Sequence, residues 1–129
     1  MGDIIGEVLQ HAPTNSRSYT RTLELLEELE ASERVTCGTI GYSHAGRAIP
    51  LVVLHGPGAN PASDGRPVLF IIARQHGGES SGTEAVLALA EYVVNTDNPN
   101  IAAILQQLTI VAVPVANPDG MAALRRANG

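Results

Sequence analysis

In the segment "RQHGGES", residues 74–80, an imidazole and a carboxylate stand three residues apart, His76 and Glu79, with Gly77 and Gly78 between them. A neutral imidazole nitrogen and a carboxylate oxygen are donor types that suit a borderline cation such as Zn²⁺. Two glycines can turn tightly enough to bring both side chains toward one point. Catalytic zinc takes three protein ligands and leaves a position for water, so this pair is two-thirds of a site. The same spacing also arises where a histidine merely ends a strand and a glutamate starts a helix, its carboxylate complementing the macrodipole. The spacing by itself leaves both readings open.

The other reactive residues add less. His11 falls in an irregular lead-in, His44 in a turn and His55 at a strand end before Gly56, and each reads as an exposed or hydrogen-bonded histidine. Ser80 and Ser81 follow the glutamate with no local histidine base, so they read as helix caps. "NPDG" at 117–120 reads as an ordinary turn, with Pro setting one dihedral and Asp-Gly the next. Arg125 and Arg126 beyond it read as solvated charges unless context assigns them more. Cys37 is the one cysteine, which excludes an internal disulfide framework, a Cys-rich metal site and a redox pair. It reads as a small buried strand residue. No Walker motif or Gly-x-Ser-x-Gly elbow is present.

Elements must carry these residues to a common place. Residues 1–15 mix Gly, Pro, Asn and Ser and read as irregular, and "SRSYTRTLELLEELEAS" then spaces its apolar residues as an amphipathic helix over 17–31. Its Glu24, Glu27, Glu28 and Glu30 read as a solvated face. "RVTCGTIGYS" and "RAIPLVVLHG", joined by "HAG", predict a hairpin, and "GPGANPASDGRP" predicts a loop. "VLFIIA" is a continuous apolar run of the kind covered on both faces in a parallel sheet. A helix follows, with Glu84, Ala88, Glu91 and Asn95 outward and Val86, Leu87, Ala90, Val93 and Val94 inward. A short helical piece near 99–107 leads into a second buried run, "LTIVAVPVA". Strand, helix, strand at this spacing is a right-handed βαβ crossover. In such sheets the ligand crevice lies beyond the carboxyl ends of the strands, where "RQHGGES" and "ANPDG" both fall.

Length and charge bound the alternatives. A chain of 129 residues fits one domain with a core, here built on aliphatic side chains because aromatics make up 3%. Thirteen acidic residues against eight scattered basic ones speak against nucleic acid as a partner. No stretch approaches the roughly 20 apolar residues that span a bilayer, and no signal peptide is visible. A cytoplasmic location is the expectation, with secretion of a longer precursor left open.

Taken in order, the helix at 17–31, "IGYSHAGRAIPLVVL", "RQHGGESSG" after a buried strand, and "VPVANPDG" followed by "RRAN" resemble the N-terminal part of the zinc carboxypeptidase family. The resemblance implies an α/β fold with a mixed, largely parallel sheet and flanking helices, residues 1–129 forming the N-terminal portion of a single catalytic domain. It implies a zinc-dependent hydrolase of peptide or amide bonds, with His76 and Glu79 as the first two ligands of one Zn²⁺. Arg126, two residues before Asn128, matches an arginine that helps polarise the scissile carbonyl, with Arg125 the alternative if the register slips by one. Digestive members carry an arginine directly before the glutamate, where this chain has Gly78. The third zinc ligand, the residues that hold the substrate carboxylate, and the general-base glutamate are expected outside this chain, so hydrolysis by these residues alone is not expected. Two alternatives stay open: the related deacylase branch, and a non-catalytic α/β binding module. The resemblance also places 108–116 between 47–55 and 68–74 and pairs the outer side of 68–74 with a later strand outside these residues, which leaves an apolar edge here. Such an edge predicts self-association or a place in a longer protein.

Overall fold

The computed structural model describes residues 4–9, 17–60 and 63–123. Where an irregular lead-in was expected, residues 4–9 form a helix, α1 (Ile4–Leu9). Ile4 and Val8, one turn apart, pack on the core, and Glu7 accepts a 2.8 Å hydrogen bond from the Tyr92 hydroxyl. These tertiary anchors, absent from local composition, hold so short a helix in place.

The amphipathic helix is α2 (Tyr19–Leu29). Ser18 caps it, its hydroxyl accepting from the Arg21 N–H at 3.1 Å. Thr22, Leu25, Leu26 and Leu29 form the buried stripe, and the four glutamates named above are exposed. The hairpin follows as β1 (Val35–Tyr42) and β2 (Ala48–Leu54), closed by Gly46 at φ 81°, a left-handed conformation that favours glycine. β1 carries a register shift between Thr39 and Gly41.

After the loop come β3 (Val68–Ile72), α3 (Ser81–Asn95), α4 (Pro99–Gln107) and β4 (Thr109–Val113). Asn98 caps α4 and Pro99 opens it, and the helix falls on the short piece expected near 99–107. The sheet order is β1-β2-β4-β3. β3 and β4 are parallel, with Phe70 opposite Val111, whereas β1–β2 and β2–β4 are antiparallel. The sheet is therefore mixed, its parallel part confined to the βαβ crossover among the described residues.

One face of the sheet is well covered. Val52, Leu54, Ile110 and Ala112 on that face join a single core cluster with Leu25, Leu26 and Leu29 of α2, Val86, Leu87, Ala90 and Val93 of α3, and Ile101 and Leu105 of α4. The opposite face is less covered by the described residues, although "VLFIIA" reads as a run covered on both sides. Val68, Phe70 and Ile72 are exposed there, and Leu69 is half exposed on the helix side. Apolar composition recorded a demand for burial without saying what meets it.

The outward face assigned to α3 also needs correction. Ala88 is buried, and Glu84 and Glu91 are largely covered because both pair with Arg17. No helix among the described residues is long and apolar enough to cross a membrane.

Candidate metal centre

β3 and β4 keep pairing past their last regular residues. The Ala73 N–H donates to Val113 O at 2.9 Å, the Ala116 N–H to Ala73 O at 2.9 Å, and the Asn117 N–H to Arg74 O at 2.9 Å. The Asn117 side chain adds a 3.2 Å bond to Gln75 O. The two segments singled out in the sequence, "RQHGGES" and "ANPDG", are thus tied side by side at the carboxyl ends of the parallel strands.

Arg74 turns the chain off the sheet. Its φ of 56° is left-handed, a conformation that costs a side-chain-bearing residue about 1–2 kcal/mol. The side chain braces the corner it creates: buried at 5% exposure, it donates from Nε to Gly77 O at 2.8 Å. Nη1 has no hydrogen-bond partner among the described residues. Burial lowers the guanidinium pKa, and the Glu84 carboxylate acts in the opposite sense. Nothing in the sequence pattern announced this arginine beyond a charge closing an apolar run.

From this corner the Glu79 N–H donates to His76 O at 3.1 Å, closing a tight turn over Gly77 and Gly78. His76 Nδ1 and Glu79 Oε2 come to 3.2 Å, so the structure does bring the two predicted ligands to one point. Both are open to solvent, with side-chain exposures of 39% and 65%. They stand at a cleft of about 380 Å³ shared with Arg74, Gln75, Ser81 and Gly82.

α3 begins against this cleft, though not by the serine capping expected. Ser80 occupies the cap position but its hydroxyl makes no capping bond. The helix start is held instead by buried Thr83, whose Oγ1 donates to Pro114 O at 2.7 Å. Gly82 permits the close approach, since a Cβ there would lie 3.0 Å from Ala73 Cβ. One helix start is thereby fastened to both strand ends, which fixes where Glu79 emerges.

"NPDG" is not an isolated turn. Pro118 opens a helix, α5 (Pro118–Ala123), and Asn117 Oδ1 accepts from the Gly120 N–H at 2.9 Å, a capping bond. Asp119 reaches back to the hairpin: Ser43 Oγ donates to it at 2.7 Å, Arg47 Nη1 at 2.9 Å and the Ala45 N–H at 3.1 Å. The Ser43 bond foremost, then Arg47, holds the Asp119 carboxyl below its ordinary value of 3.8. A carboxyl lowered in the folded state adds stability above its unfolded pKa, and that stability is lost as pH falls through the folded value. Asp119→Asn is therefore expected to destabilise at neutral pH and to unfold less steeply with acid. In thermal melts the gap in Tm between wild type and variant should narrow from about pH 5 to about pH 2.5. A gap that stays constant over that range would show that Asp119 does not contribute through its charge.

Of the remaining candidates, His55 is buried and satisfied. Its Nδ1 lies 2.9 Å from Gly56 O, which can only accept, so Nδ1 carries the proton and Nε2 accepts from Thr36 Oγ1 at 2.8 Å. His44 is exposed in the hairpin turn. Cys37 is half-buried, its Sγ bonded to Leu26 O at 3.4 Å, and burial pushes the thiol up to about 11, Glu30 adding to the shift. It is an inert thiol at neutral pH. His11, Arg125, Arg126 and Asn128 lie outside the described residues.

The donor types at the corner fit zinc; the donor count is one short. Among the described residues no group of three His, Cys, Asp or Glu side chains converges to hold a metal.

Comparison with known proteins bears on the fold and the family. Three solved structures superpose well. A protein assigned as a carboxypeptidase from Burkholderia mallei matches with TM-score 0.77 and 27% identity over 88% of this chain and 29% of its own. A metallo-carboxypeptidase from Pseudomonas aeruginosa, solved with (2-guanidinoethylmercapto)succinic acid, matches with TM-score 0.64 and 28% identity over 81% of this chain and 27% of its own. The carboxypeptidase A of Helicoverpa armigera shares the fold, with TM-score 0.75 and 24% identity over 88% of this chain and 29% of its own. The chain thus spans under a third of the length of each of these structures. The family model described as zinc carboxypeptidase matches residues 21–128. Because that match runs through most of the sequence, the chain belongs to the zinc carboxypeptidase family.

Proposed function

We propose that this chain supplies His76 and Glu79 as two of the three protein ligands of a zinc-dependent hydrolase of peptide or amide bonds. The observation that carries the proposal is the 3.2 Å approach of His76 Nδ1 to Glu79 Oε2 in an open cleft at the carboxyl edge of the parallel strands. A zinc ion held there supplies Lewis acidity toward a carbonyl and toward water. The chain's own residues do the positioning. Arg74 locks the turn through Gly77 O, Thr83 and Gly82 set the origin of α3, and the cleft leaves both ligands accessible from solvent. Both ligands must be deprotonated to bind, so metal uptake falls as pH drops. By the family resemblance Arg126 serves as the group that polarises the scissile carbonyl.

The reading is tested by zinc content and zinc affinity of the purified chain and of His76→Ala. Wild type is expected to bind weakly, as two ligands allow, and His76→Ala to lose at least about tenfold in affinity with its circular dichroism unchanged. Equal and negligible zinc in both proteins would remove the metal assignment. The convergence of only two donors among the described residues favours, as a second reading, a binding module that keeps the fold without catalysis. Neither reading expects hydrolysis from these residues alone, so the coding sequence after Gly129 separates them: a third donor and a general base there support the enzyme, and an immediate stop codon supports the module.

A further inference from the structure

Asn117 bonds in three directions. Its N–H donates to Arg74 O at 2.9 Å, its Nδ2 to Gln75 O at 3.2 Å, and its Oδ1 accepts from the Gly120 N–H at 2.9 Å. One residue therefore caps α5 and holds two successive carbonyls of the segment that leads into His76.

Those two carbonyls begin a series. His76 O accepts from the Glu79 N–H at 3.1 Å and Gly77 O from Arg74 Nε at 2.8 Å, so each carbonyl from Arg74 to Gly77 has a donor. Asn117 serves the first two, from the end of the neighbouring strand and outside the turn itself. The Gln75 bond bears most directly on the metal pair. The Gln75 carbonyl lies in the planar peptide unit that ends at the His76 Cα, so holding it limits the directions in which the imidazole can leave the backbone.

Gly120 makes room for the Asn117 side chain. A Cβ at 120 would lie 2.6 Å from Asn117 Nδ2, 2.9 Å from Cγ and 3.0 Å from Oδ1. Glycine is a poor helix former, and Gly120 has no left-handed φ to require it. The folded-back amide accounts for its presence in α5.

We propose, on the reading of His76 and Glu79 as zinc ligands, that Asn117 is a positioning residue for this pair: its side-chain amide fixes the peptide before His76 and ties it to the start of α5. Groups that bond a metal ligand directly are worth roughly 10–100-fold in affinity. Asn117 acts one peptide away, through a bond partly open to water, so the expected effect is about fivefold.

The experiment uses two variants of the chain that reach the same bond from opposite sides. Asn117→Ser keeps a capping hydroxyl for Gly120 and is too short to reach Gln75 O. Gly120→Ala keeps the amide but displaces it, and alanine is the better helix former, so thermal stability should hold or rise. In both, metal-free amide exchange at Glu79, whose N–H closes the turn, is expected to quicken about fivefold and zinc affinity to fall about fivefold, with circular dichroism unchanged. Asp119→Asn is the control, because it loosens the start of α5 on its hairpin side, and it should change neither quantity by more than about twofold. Unchanged Glu79 exchange in Asn117→Ser overturns the proposal, and so does measurable zinc binding that this variant leaves intact, or an equal effect of Asp119→Asn. A wild type that binds no zinc removes the metal reading alone, and Glu79 exchange then decides whether Asn117 sets the turn.

Discussion

Leu87→Ala is expected to lower the unfolding free energy by about 3–4 kcal/mol, the largest single loss among the substitutions considered. Leu87 is fully buried in the middle of α3, inside the cluster that joins the covered sheet face to α2 and α4. Removing its isobutyl group forfeits the transfer free energy and leaves a cavity that two helices and a sheet cannot readily close. Alanine is the best helix former, so no propensity cost confuses the result. A domain of this size holds about 5–15 kcal/mol in total, so the variant should show a much lower urea midpoint at an unchanged slope. A loss under about 1 kcal/mol would mean that α3 is not packed on the sheet as described.

Glu84→Ala is expected to cost about 2–3 kcal/mol for a different reason. Arg17 reaches Glu84 twice, from its backbone N–H at 2.8 Å and from Nη1 at 2.6 Å, and touches Glu91 at 3.5 Å. The Arg17 and Glu84 side chains are only 14% and 13% exposed, so alanine would strand a covered guanidinium. Glu84 is also the carboxylate that opposes the effect of burial on Arg74, so its loss leaves two cations poorly compensated on one side of α3. The figure is set below that of a fully buried pair because water still reaches both partners. A double-mutant cycle with Arg17→Met separates the pair from simple truncation: a coupling near zero would sink the account.

These two positions show where the sequence was legible. Leu87 was placed inward by helical periodicity alone, and so were Val86, Ala90 and Val93, because period 3.6 and burial coincide when one face meets a core. Glu84 and Ala88 were placed outward by the same rule, and both are covered, because residues before α2 lie across that side of the helix. Periodicity reports the face turned to the sheet and cannot report a second layer. The hairpin was legible from β-branched runs and punctuating Gly and Pro, and the pairing of β3 with β4 from two buried runs on either side of a periodic helix. α5 was not, because Asn-Pro-Asp-Gly serves a turn and a helix start equally well until Asn117 is seen bonding Gly120.

The site divides in the same way. His76 and Glu79 were singled out by donor chemistry and spacing and given a metal role only by the family resemblance; their side chains come within 3.2 Å of each other. The groups that hold them there, Arg74 in its left-handed corner and Thr83 on Pro114, were invisible because their partners are backbone carbonyls rather than recognisable side-chain motifs.

The strand order β1-β2-β4-β3 makes β4, the latest in sequence among the described strands, the one that joins the hairpin to β3. Until Val113 has been made, the nascent chain holds one isolated hairpin, a marginal structure in water, and a lone apolar strand. At about 5–20 residues per second, the 41 residues from 73 to 113 take roughly 2–8 s to add. β3 can therefore join this sheet only after both helices of the crossover have been made, so the parallel pair closes by a contact between segments about forty residues apart.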